Sequence, residues 1–453
     1  MTTERRELVE RIWARDPTVW TAKDEARWLG WLDEPARRRE DIDLLLTLAD
    51  SVQGEIDDVV LLGMGGSSLA PEVIRRVFHG DRLHVLDTTH PRAIRALADG
   101  LDLERTLFIS ASKSGTTLET RSHSDYFWRK VPRGQQWVAV TDPGSSLEEL
   151  ARGREFRAIF PGEPTIGGRY SALSPFGLVP AALLGVDLQR LLDRTLEMVE
   201  ACQLDEGNPG LELGLALGEG WRDARDKVCF EDIDGFGLWA EQLLAESTGK
   251  GGKGLVPAPG EPADGPDRQE HEVRLTAPYE LGQEFFRWMF ATAVAGSILG
   301  INPFDQPDVQ SAKDRTSEVL AGGDVTLDPV SSPDELFAQA REGDYVCLQA
   351  FVNPTPAAEA ALAALADRAR ATTGCVVTRG FGPRYLHSTG QLHKGGPNTG
   401  LFLQIVEDYG EEVKIPDRPF GFARLIRAQA AGDFESLRER GRRVARVHME
   451  NLT

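Results

Sequence analysis

The chain has 453 residues, of which 41% are hydrophobic and 27% are charged, and its formal net charge is −20. This composition excludes a disordered or fibrous protein, and the length predicts two or three domains. The negative charge argues against nucleic acids and anionic membranes as partners, because both bind to positively charged surfaces. An anionic ligand would therefore need a local pocket.

Cysteine spacing and the first residues indicate the compartment. Cys202, Cys229, Cys347 and Cys375 are far apart, which favours reduced thiols and gives no zinc-binding pattern. The first ten residues are charged and contain no apolar leader, and no later apolar run is long enough to cross a bilayer. We therefore predict a cytoplasmic protein without a membrane partner.

Residues 5–48 have a helical pattern in which tryptophans and leucines lie among charged residues. Asp16-Pro17 and Glu34-Pro35 interrupt this pattern. We predict an N-terminal helical segment over residues 1–50 that packs against the rest of the protein.

From residue 51 onward the pattern changes to short apolar runs, each followed by a polar turn and a helical stretch. Such runs are typical of strands buried on both faces of a parallel sheet. The sequence therefore predicts an α/β fold, with a first domain over residues 51–205 and a second over residues 206–453. The Pro-, Gly- and Asp-rich residues 257–267 predict an exposed loop. The predicted strands lie at 59–62, 83–86, 107–110 and 137–140 in the first domain, and at 227–230, 345–349 and 375–378 in the second.

The predicted strand at 107–110 leads into a turn rich in hydroxyl groups, just before a helical stretch. The first N–H groups of such a helix lack partners within the helix and carry the positive end of its dipole, so a phosphate can bind there, and Gly115 would let the backbone approach it. No Lys follows in the P-loop pattern, which favours a phosphate ester over a nucleotide. The alternative is a helix cap with additional hydroxyls. The candidate phosphate-binding residues are Ser112, Lys113, Ser114, Thr116 and Thr117.

A second candidate turn, at residues 63–71, also joins a predicted strand to a helix, at the same edge of the sheet. The backbone around Gly66 and Ser67 is therefore a further candidate for binding phosphate. Its glycine spacing departs from the dinucleotide-binding fingerprint, although Asp87 stands at the end of the next predicted strand. We do not expect a dinucleotide cofactor.

Five short motifs are spread over most of the chain, at residues 63–67, 112–120, 167–171, 246–250 and 302–307. Together they resemble the phosphoglucose isomerase family, and most closely the isomerase half of bacterial proteins that fuse transaldolase to phosphoglucose isomerase. The resemblance implies two sugar-isomerase (SIS) domains, each with a mainly parallel sheet flanked by helices. It implies reversible conversion of glucose 6-phosphate to fructose 6-phosphate without a metal or organic cofactor. It also implies two possible partners, namely a second copy of the chain in a homodimer and transaldolase, by fusion or association.

The isomerisation would need a base, a fixed cation and groups that open the sugar ring. The resemblance assigns the base to Glu246, which moves a proton between C2 and C1, and the cation to Arg169, which stabilises the enediolate. It assigns ring opening to His387 and Lys313. The His-bearing segment follows Lys313 here, whereas in most members of the family it lies between the Glu and the Lys segments. His393 is therefore an alternative to His387.

The remaining substrate contacts are also implied by the resemblance. Gln242 stands one helical turn before Glu246 and shares its face of the helix. Glu119 is expected to cap or orient the phosphate-binding turn rather than to contact the sugar. The further predicted substrate contacts are Gly168, Gln242 and Gln306.

Two alternative functions stay open. An SIS-type module could bind a sugar phosphate without catalysis, in which case Glu246, Arg169 and Lys313 would have no common task. An isomerase of broader range could also accept mannose 6-phosphate, and comparing rates on the two sugars would decide this.

Overall fold

The computed structural model describes residues 2–322 and 325–452, without the side chains of residues 2, 3 and 309–314. The described chain is an α/β protein with parallel sheets flanked by helices, and the predicted fold class is confirmed. The first sheet contains β1 (Asp58–Leu62), β2 (Leu83–Leu86), β3 (Thr106–Ala111), β4 (Trp137–Thr141) and β5 (Ala158–Pro161). Its strand order is β2-β1-β3-β4-β5, and every pair is parallel.

The second half of the chain contains two parallel sheets. The smaller consists of β6 (Lys227–Phe230), β7 (Val256–Pro259) and β8 (Arg268–Glu270), in the order β7-β6-β8. The larger consists of β9 (Tyr345–Phe351), β10 (Val376–Phe381), β11 (Gly400–Val406) and β12 (Arg443–His448), in the order β10-β9-β11-β12. The predicted strands at 227–230, 345–349 and 375–378 thus fall on β6, β9 and β10. The domain boundaries stay predictions.

The β7 strand partly overlaps the predicted loop at 257–267, so that prediction is wrong at its first residues. Pro257 and Pro259 argue against a strand because proline has no N–H to donate. An edge position removes this objection, since an edge strand pairs on one side only, and β7 lies at the edge of its sheet.

The helices surround the sheets and connect their strands. An additional short 3-10 segment runs over Arg384–His387. The α-helices are α1 (Thr2–Trp13), α2 (Glu34–Glu40), α3 (Ile42–Ser51), α4 (Leu69–Val77), α5 (Pro91–Gly100), α6 (Leu118–Lys130), α7 (Ser146–Gly153), α8 (Pro175–Leu183), α9 (Leu188–Ala201), α10 (Pro209–Arg222), α11 (Phe236–Thr248), α12 (Leu281–Leu299), α13 (Val309–Ala321), α14 (Pro333–Phe337), α15 (Pro356–Thr373), α16 (Gly390–Gly395) and α17 (Phe422–Glu439).

The N-terminal segment is helical, with short 3-10 turns, and Trp20 and Trp31 in it are buried against α12. The Trp20 indole donates to the carbonyl of Ala293 at 2.8 Å. The Trp31 ring lies 5.3 Å from the Tyr170 ring and 5.7 Å from the Phe286 ring. This packing joins the first residues of the chain to both halves of the core.

The strand order of the first sheet determines where its open crevice lies. In a doubly wound sheet of order 2-1-3-4-5, the connections leave in opposite directions from β1 and β3, and ligands bind at the carboxyl ends of these two strands. The turns after β1 and β3 are the two turns that the sequence predicts to bind phosphate.

A buried ionic cluster fixes the Arg384–His387 segment to the C-terminal helix. Asp433 on α17 accepts from the Lys394 ammonium at 2.6 Å and from the Tyr385 hydroxyl at 2.6 Å, and all three side chains are buried. On the other side of the segment, Arg384 makes two hydrogen bonds to the Asp87 carboxylate, at 2.7 and 2.8 Å. The segment is therefore held between the two halves of the chain.

Among the described residues, none of the helices has the length and apolar character that crossing a membrane requires.

Replacing Asp433 by Ala would leave the Lys394 ammonium buried without its counter-ion. Loss of one partner of a buried pair typically costs about 3–5 kcal/mol, so we expect the free energy of unfolding to fall by that amount in Asp433→Ala, measured by urea denaturation. The matched control is Glu435→Ala on the same helix, which removes the exposed pair with Arg438 and should cost less than about 1 kcal/mol. Equal losses in the two variants would contradict the prediction.

Candidate active site

Two turns at the carboxyl edge of the first sheet form one side of the candidate site. The turn after β1 contains a 3-10 helix at Gly65–Ser67, and the turn after β3 runs directly into α6. All three residues of the 3-10 helix are buried. The two turns bring the backbone of Gly66 and Ser67 to the same sheet edge as the hydroxyl-rich turn.

Hydrogen bonds among its own side chains shape the hydroxyl-rich turn. Ser112 Oγ lies 3.1 Å from Thr117 Oγ1 and accepts from the Gly115 N–H at 3.2 Å, while Ser114 Oγ lies 2.9 Å from Thr116 Oγ1. Gly115 has φ +69°, and an added Cβ would lie 2.5 Å from the Leu147 nitrogen, so only glycine fits there. Ser114 and Thr116 are exposed in the turn that precedes α6, where their hydroxyls can reach an anion.

Lys113 has a different position from its neighbours. Its ammonium donates to Asp142 Oδ1 at 2.8 Å and to the Glu163 carbonyl at 3.0 Å. The charge of Lys113 therefore neutralises Asp142 at the end of β4. Its assignment to phosphate stays a prediction, and the hydroxyls and backbone N–H groups of the turn are the better-placed donors.

The turn after β1 packs closely against the turn that carries Arg169. A Cβ at Gly66 would lie 1.9 Å from the Gly168 carbonyl oxygen, and a Cβ at Gly65 would lie 2.6 Å from the His387 carbonyl oxygen. Gly65 also has φ +56°. Glycine at these positions therefore lets the turn after β1 approach both the turn that carries Arg169 and the segment that carries His387.

Arg169 is buried, and its guanidinium is held from several directions. Its Nε donates to Ser247 Oγ at 2.8 Å, and Nη2 donates to the carbonyls of Pro303 and Asp305 at 2.7 and 3.0 Å. Its Nη1 lies 3.4 Å from Gln306 Oε1 and 3.9 Å from Glu246 Oε2. The guanidinium is thus a fixed positive charge beside the carboxylate that the sequence predicts as the base.

Gln242 and Glu246 lie on one face of α11, as their spacing predicts. Gln242 Nε2 donates to Glu246 Oε2 at 3.0 Å and to the His387 carbonyl at 2.9 Å. Burial raises the pKa of Glu246, and the nearby Arg169 guanidinium partly offsets that rise. A carboxylate with a raised pKa is a stronger proton acceptor near neutral pH.

His387 is held by Glu119, whose role sequence reasoning missed. His387 Nε2 lies 2.9 Å from Glu119 Oε1. Burial alone would raise the pKa of Glu119, but the charge and hydrogen bond of His387 outweigh it and lower the pKa to about 2. Because an ionised carboxylate only accepts hydrogen bonds, His387 Nε2 carries the proton and Nδ1 is left to act. The predicted role of Glu119 in capping or orienting the phosphate-binding turn stays a prediction.

His393, the alternative to His387, is buried among side chains of the second half. Its Nδ1 lies 3.3 Å from Gln349 Nε2, its Nε2 lies 3.5 Å from Cys347 Sγ, and its ring contacts Tyr385 and Phe402. Burial and the neighbouring Lys394 and Arg442 charges lower its pKa well below the ordinary value. His393 is therefore a neutral core residue, while His387 is the histidine connected to Gln242 and Glu246.

Lys250 also belongs to this cluster, although sequence reasoning assigned it no role beyond its motif. Its ammonium donates at 2.6–2.7 Å to Asp305 and to the carbonyl of Asn302. Burial, followed by the neighbouring Arg169 charge, lowers the pKa of Lys250 to about 8. Lys250 and Arg169 together hold the 302–306 segment against α11. Lys313 lies on α13, but its side chain is outside the described residues.

The cluster offers one buried carboxylate, one fixed guanidinium and one carboxylate-bound imidazole. In the described ranges, His, Cys, Asp and Glu side chains form no group of three that is placed to hold a metal ion. The chemistry that these residues can perform is proton transfer beside a stabilised negative charge.

Comparison with known proteins relates the chain to one family. A family model described as phosphoglucose isomerase matches residues 48–204. Glucose-6-phosphate isomerase of Gloeothece citriformis is 32% identical over 265 residues, which cover 54% of this chain and 49% of that protein. A glucose-6-phosphate isomerase of Thermus thermophilus is 34% identical over 262 residues, which cover 54% of this chain and 62% of that protein. The matched segments thus span about half to three-fifths of these curated relatives.

Two solved structures share the fold. A hypothetical protein from Thermus thermophilus has a TM-score of 0.50 and 22% identity over 98% of this chain and 83% of that one. A glucose-6-phosphate isomerase from Chlamydia trachomatis has a TM-score of 0.58 and 18% identity over 71% of this chain and 84% of that one. These likenesses concern the fold alone.

A methyl group at Gly66 would collide with backbone rather than with a flexible side chain. We expect Gly66→Ala to lower the free energy of unfolding by about 1–3 kcal/mol, the usual cost of overpacking, in urea denaturation. The control is Gly167→Ala, because a Cβ at Gly167 has nothing within 4 Å. The close approach of the two turns would be disproved if both variants unfolded at the same urea concentration.

Proposed function

We propose that this chain, which is related to the phosphoglucose isomerase family, converts glucose 6-phosphate to fructose 6-phosphate and back by acid–base catalysis. The observation that supports the proposal most strongly is the environment of the buried Glu246 carboxylate. The Arg169 guanidinium lies 3.9 Å from it, and Gln242 donates both to Glu246 and to the His387 carbonyl. Three groups with the properties that the reaction needs are thus connected within one chain.

Glu246 is the proposed base. The reaction removes a proton from C2 of the aldose and returns a proton to C1, and a single carboxylate can perform both steps. Because burial raises the pKa of Glu246, its carboxylate competes better for a carbon-bound proton than an exposed one would. Gln242, bonded to Glu246 Oε2, directs the carboxylate and is a proposed substrate contact, as is Gln306.

Arg169 is the proposed stabiliser of the enediolate. Removing the C2 proton places negative charge on the oxygens of C1 and C2. A guanidinium stays protonated throughout the working range of pH, and Ser247 and two carbonyls hold this one in place. A charge that does not have to reorganise stabilises the intermediate most effectively.

His387 is the proposed group for ring opening, together with Lys313 by resemblance. With Nε2–H donated to Glu119, the other ring nitrogen can accept the proton of the C1 hydroxyl or give one to the ring oxygen. Glu119 stabilises the imidazolium that forms when the ring nitrogen is protonated.

The phosphate would bind at the two turns of the first sheet. Anchoring this unreactive end would hold C1 and C2 over Glu246, so that binding energy is used for orientation. The proposed phosphate contacts are the backbone of Gly66, Ser67 and Gly168 and the side chains of Ser112, Lys113, Ser114, Thr116 and Thr117.

The sugar phosphate is the partner that this reaction requires. The homodimer, the association with transaldolase and the cytoplasmic location stay predictions.

Replacing Glu246 by Gln keeps the shape of the side chain but removes the base. We expect kcat for fructose 6-phosphate conversion to fall about 10²–10⁴-fold, the usual contribution of general-base catalysis, in a coupled assay with purified protein. Glu219→Gln, at an exposed position of α10, is the control and should keep its turnover. Unchanged turnover in Glu246→Gln would refute the assignment of the base.

Measurements of binding, of proton exchange at C2 and of substrate range separate the alternative functions. Wild-type protein that binds the sugar phosphate tightly without exchanging the C2 proton for solvent deuterium would be a binding module. Conversion of mannose 6-phosphate at a rate similar to that of glucose 6-phosphate would identify an isomerase of broader range.

The pH dependence of activity should report the environment of Glu246. Its carboxylate must be ionised to accept a proton, and burial raises its pKa, so kcat/KM should fall on the acid side at a pH above the ordinary 4.5 of Glu. Arg169 lowers this pKa, so Arg169→Met should move the acid limb to still higher pH, whereas Arg169→Lys, which keeps the charge, should move it less. An acid limb at the same pH in all three proteins would contradict this origin.

A further inference from the structure

A buried glutamine connects the C-terminal helix to the Glu119–His387 pair. Gln429 lies on α17 and is 2% exposed. Its Nε2 donates to Glu119 Oε1 at 2.7 Å, and Thr89 Oγ1 donates to its Oε1 at 2.7 Å. Thr89 is fully buried and follows β2, so the hydrogen-bonded chain joins three separate parts of the sequence.

The ionised Glu119 carboxylate determines which way the Gln429 amide is turned, and the Thr89 hydroxyl supports that orientation. With its oxygen accepting from Thr89, the amide presents its N–H to Glu119. The reversed amide would place a carbonyl oxygen against an ionised carboxylate in a buried space, which is unfavourable because both groups only accept hydrogen bonds. The carboxylate therefore selects the amide orientation, and the Thr89 hydroxyl holds the amide oxygen in place by donating to it.

Glu119 Oε1 accepts from Gln429 and from His387 at the same time. The Gln429 N–H limits rotation of the carboxylate, so that this oxygen keeps facing the imidazole. A buried acceptor with two donors of fixed position has one favourable orientation.

We propose that Gln429, held in place by Thr89, is a positioning residue that holds Glu119 in the orientation that keeps His387 in its Nε2–H form. The consequence for catalysis rests on the proposed function, because His387 Nδ1 is then the nitrogen available for opening the sugar ring. Thr89 acts one step further away, through Gln429.

If Gln429 had only a structural role, its replacement would differ from our proposal in one measurable respect. The replacement would then lower the stability of the protein, but the same ring nitrogen of His387 would still carry the proton. The tautomer of His387 in the free protein therefore distinguishes the two roles, and it can be measured without any substrate.

The experiment compares wild type with Gln429→Leu, Thr89→Val and the control Gln136→Leu. Gln136 is also buried and donates to three carbonyls, but it lies before β4, at the opposite end of the first sheet from the turns after β1 and β3. Long-range ¹⁵N–¹H spectra of histidine-labelled protein give the tautomer, with His387→Gln assigning the signals. Thermal unfolding of each variant verifies that it is folded at the temperature of measurement.

In Gln429→Leu, we expect the ¹⁵N chemical shifts of the two His387 ring nitrogens to move toward each other, as in a mixture of the two tautomers. The change should be smaller in Thr89→Val and absent in Gln136→Leu. We also expect kcat to fall about 10-fold in Gln429→Leu, which corresponds to the loss of one hydrogen bond to a charged group, and about 3-fold in Thr89→Val. Thr89→Ser, which restores the hydroxyl, should recover both properties.

Unchanged His387 signals in folded Gln429→Leu would overturn the proposal, as would equal changes in Gln136→Leu. If Gln429→Leu is unfolded, the comparison of Thr89→Val with Thr89→Ser gives the same test. A wild-type protein without isomerase turnover would refute the proposed function instead, while the spectra would still decide the role of Gln429.

Discussion

Burying the Arg169 guanidinium beside Glu246 is the constraint on which the rest of the candidate site depends. An isolated charge in the protein interior costs several kcal/mol, and this cost is offset only when the charge has both a counter-ion and hydrogen-bond acceptors. Arg169 finds its counter-ion in Glu246, 3.9 Å away, and its acceptors in Ser247 on α11 and in two carbonyls of the 302–306 segment. The turn after β5, the end of α11 and the 302–306 segment are therefore required to meet, and Lys250 reinforces the same junction from the other side.

The second half of the chain reaches this junction through its own buried charges. Asp433 holds Tyr385 and Lys394, and Arg384 is held by Asp87, so the Arg384–His387 segment is fixed at both sides. This placement allows the His-bearing segment to follow the Lys313 segment in sequence while His387 still lies next to Gln242. These contacts hold the Arg384–His387 segment in place, so the position of His387 in the site does not depend on the order of the two segments along the chain.

Much of the fold could be predicted from the sequence because the signals are local. Short apolar runs followed by polar turns identify β1, β3, β4 and β9, and the i, i+4 spacing places Gln242 and Glu246 on one helix face. The strand β7 was missed because prolines weaken the signal, and only its edge position explains why they are tolerated.

The candidate site was less accessible to sequence reasoning wherever contacts join distant residues. Glu119 and His387 are separated by 268 positions, and nothing near Glu119 in the sequence indicates that its carboxylate contacts an imidazole. The choice between His387 and His393 likewise depends on burial beside Cys347 and Gln349, which strand pairing produces. Lys113 stands inside a phosphate-binding motif, yet its ammonium neutralises Asp142 at the end of the neighbouring strand.

The position of α17 along the chain has a consequence for biosynthesis. Gln429 and Asp433 follow every other described member of the cluster in sequence, so a ribosome delivers them after Arg169, Glu246 and His387 have already emerged. The first sheet can form while the chain is still being made, since domains fold as their residues become available. The imidazole, by contrast, acquires its full set of supports only when α17 docks, which makes completion of the cluster one of the last events in the maturation of a newly made molecule.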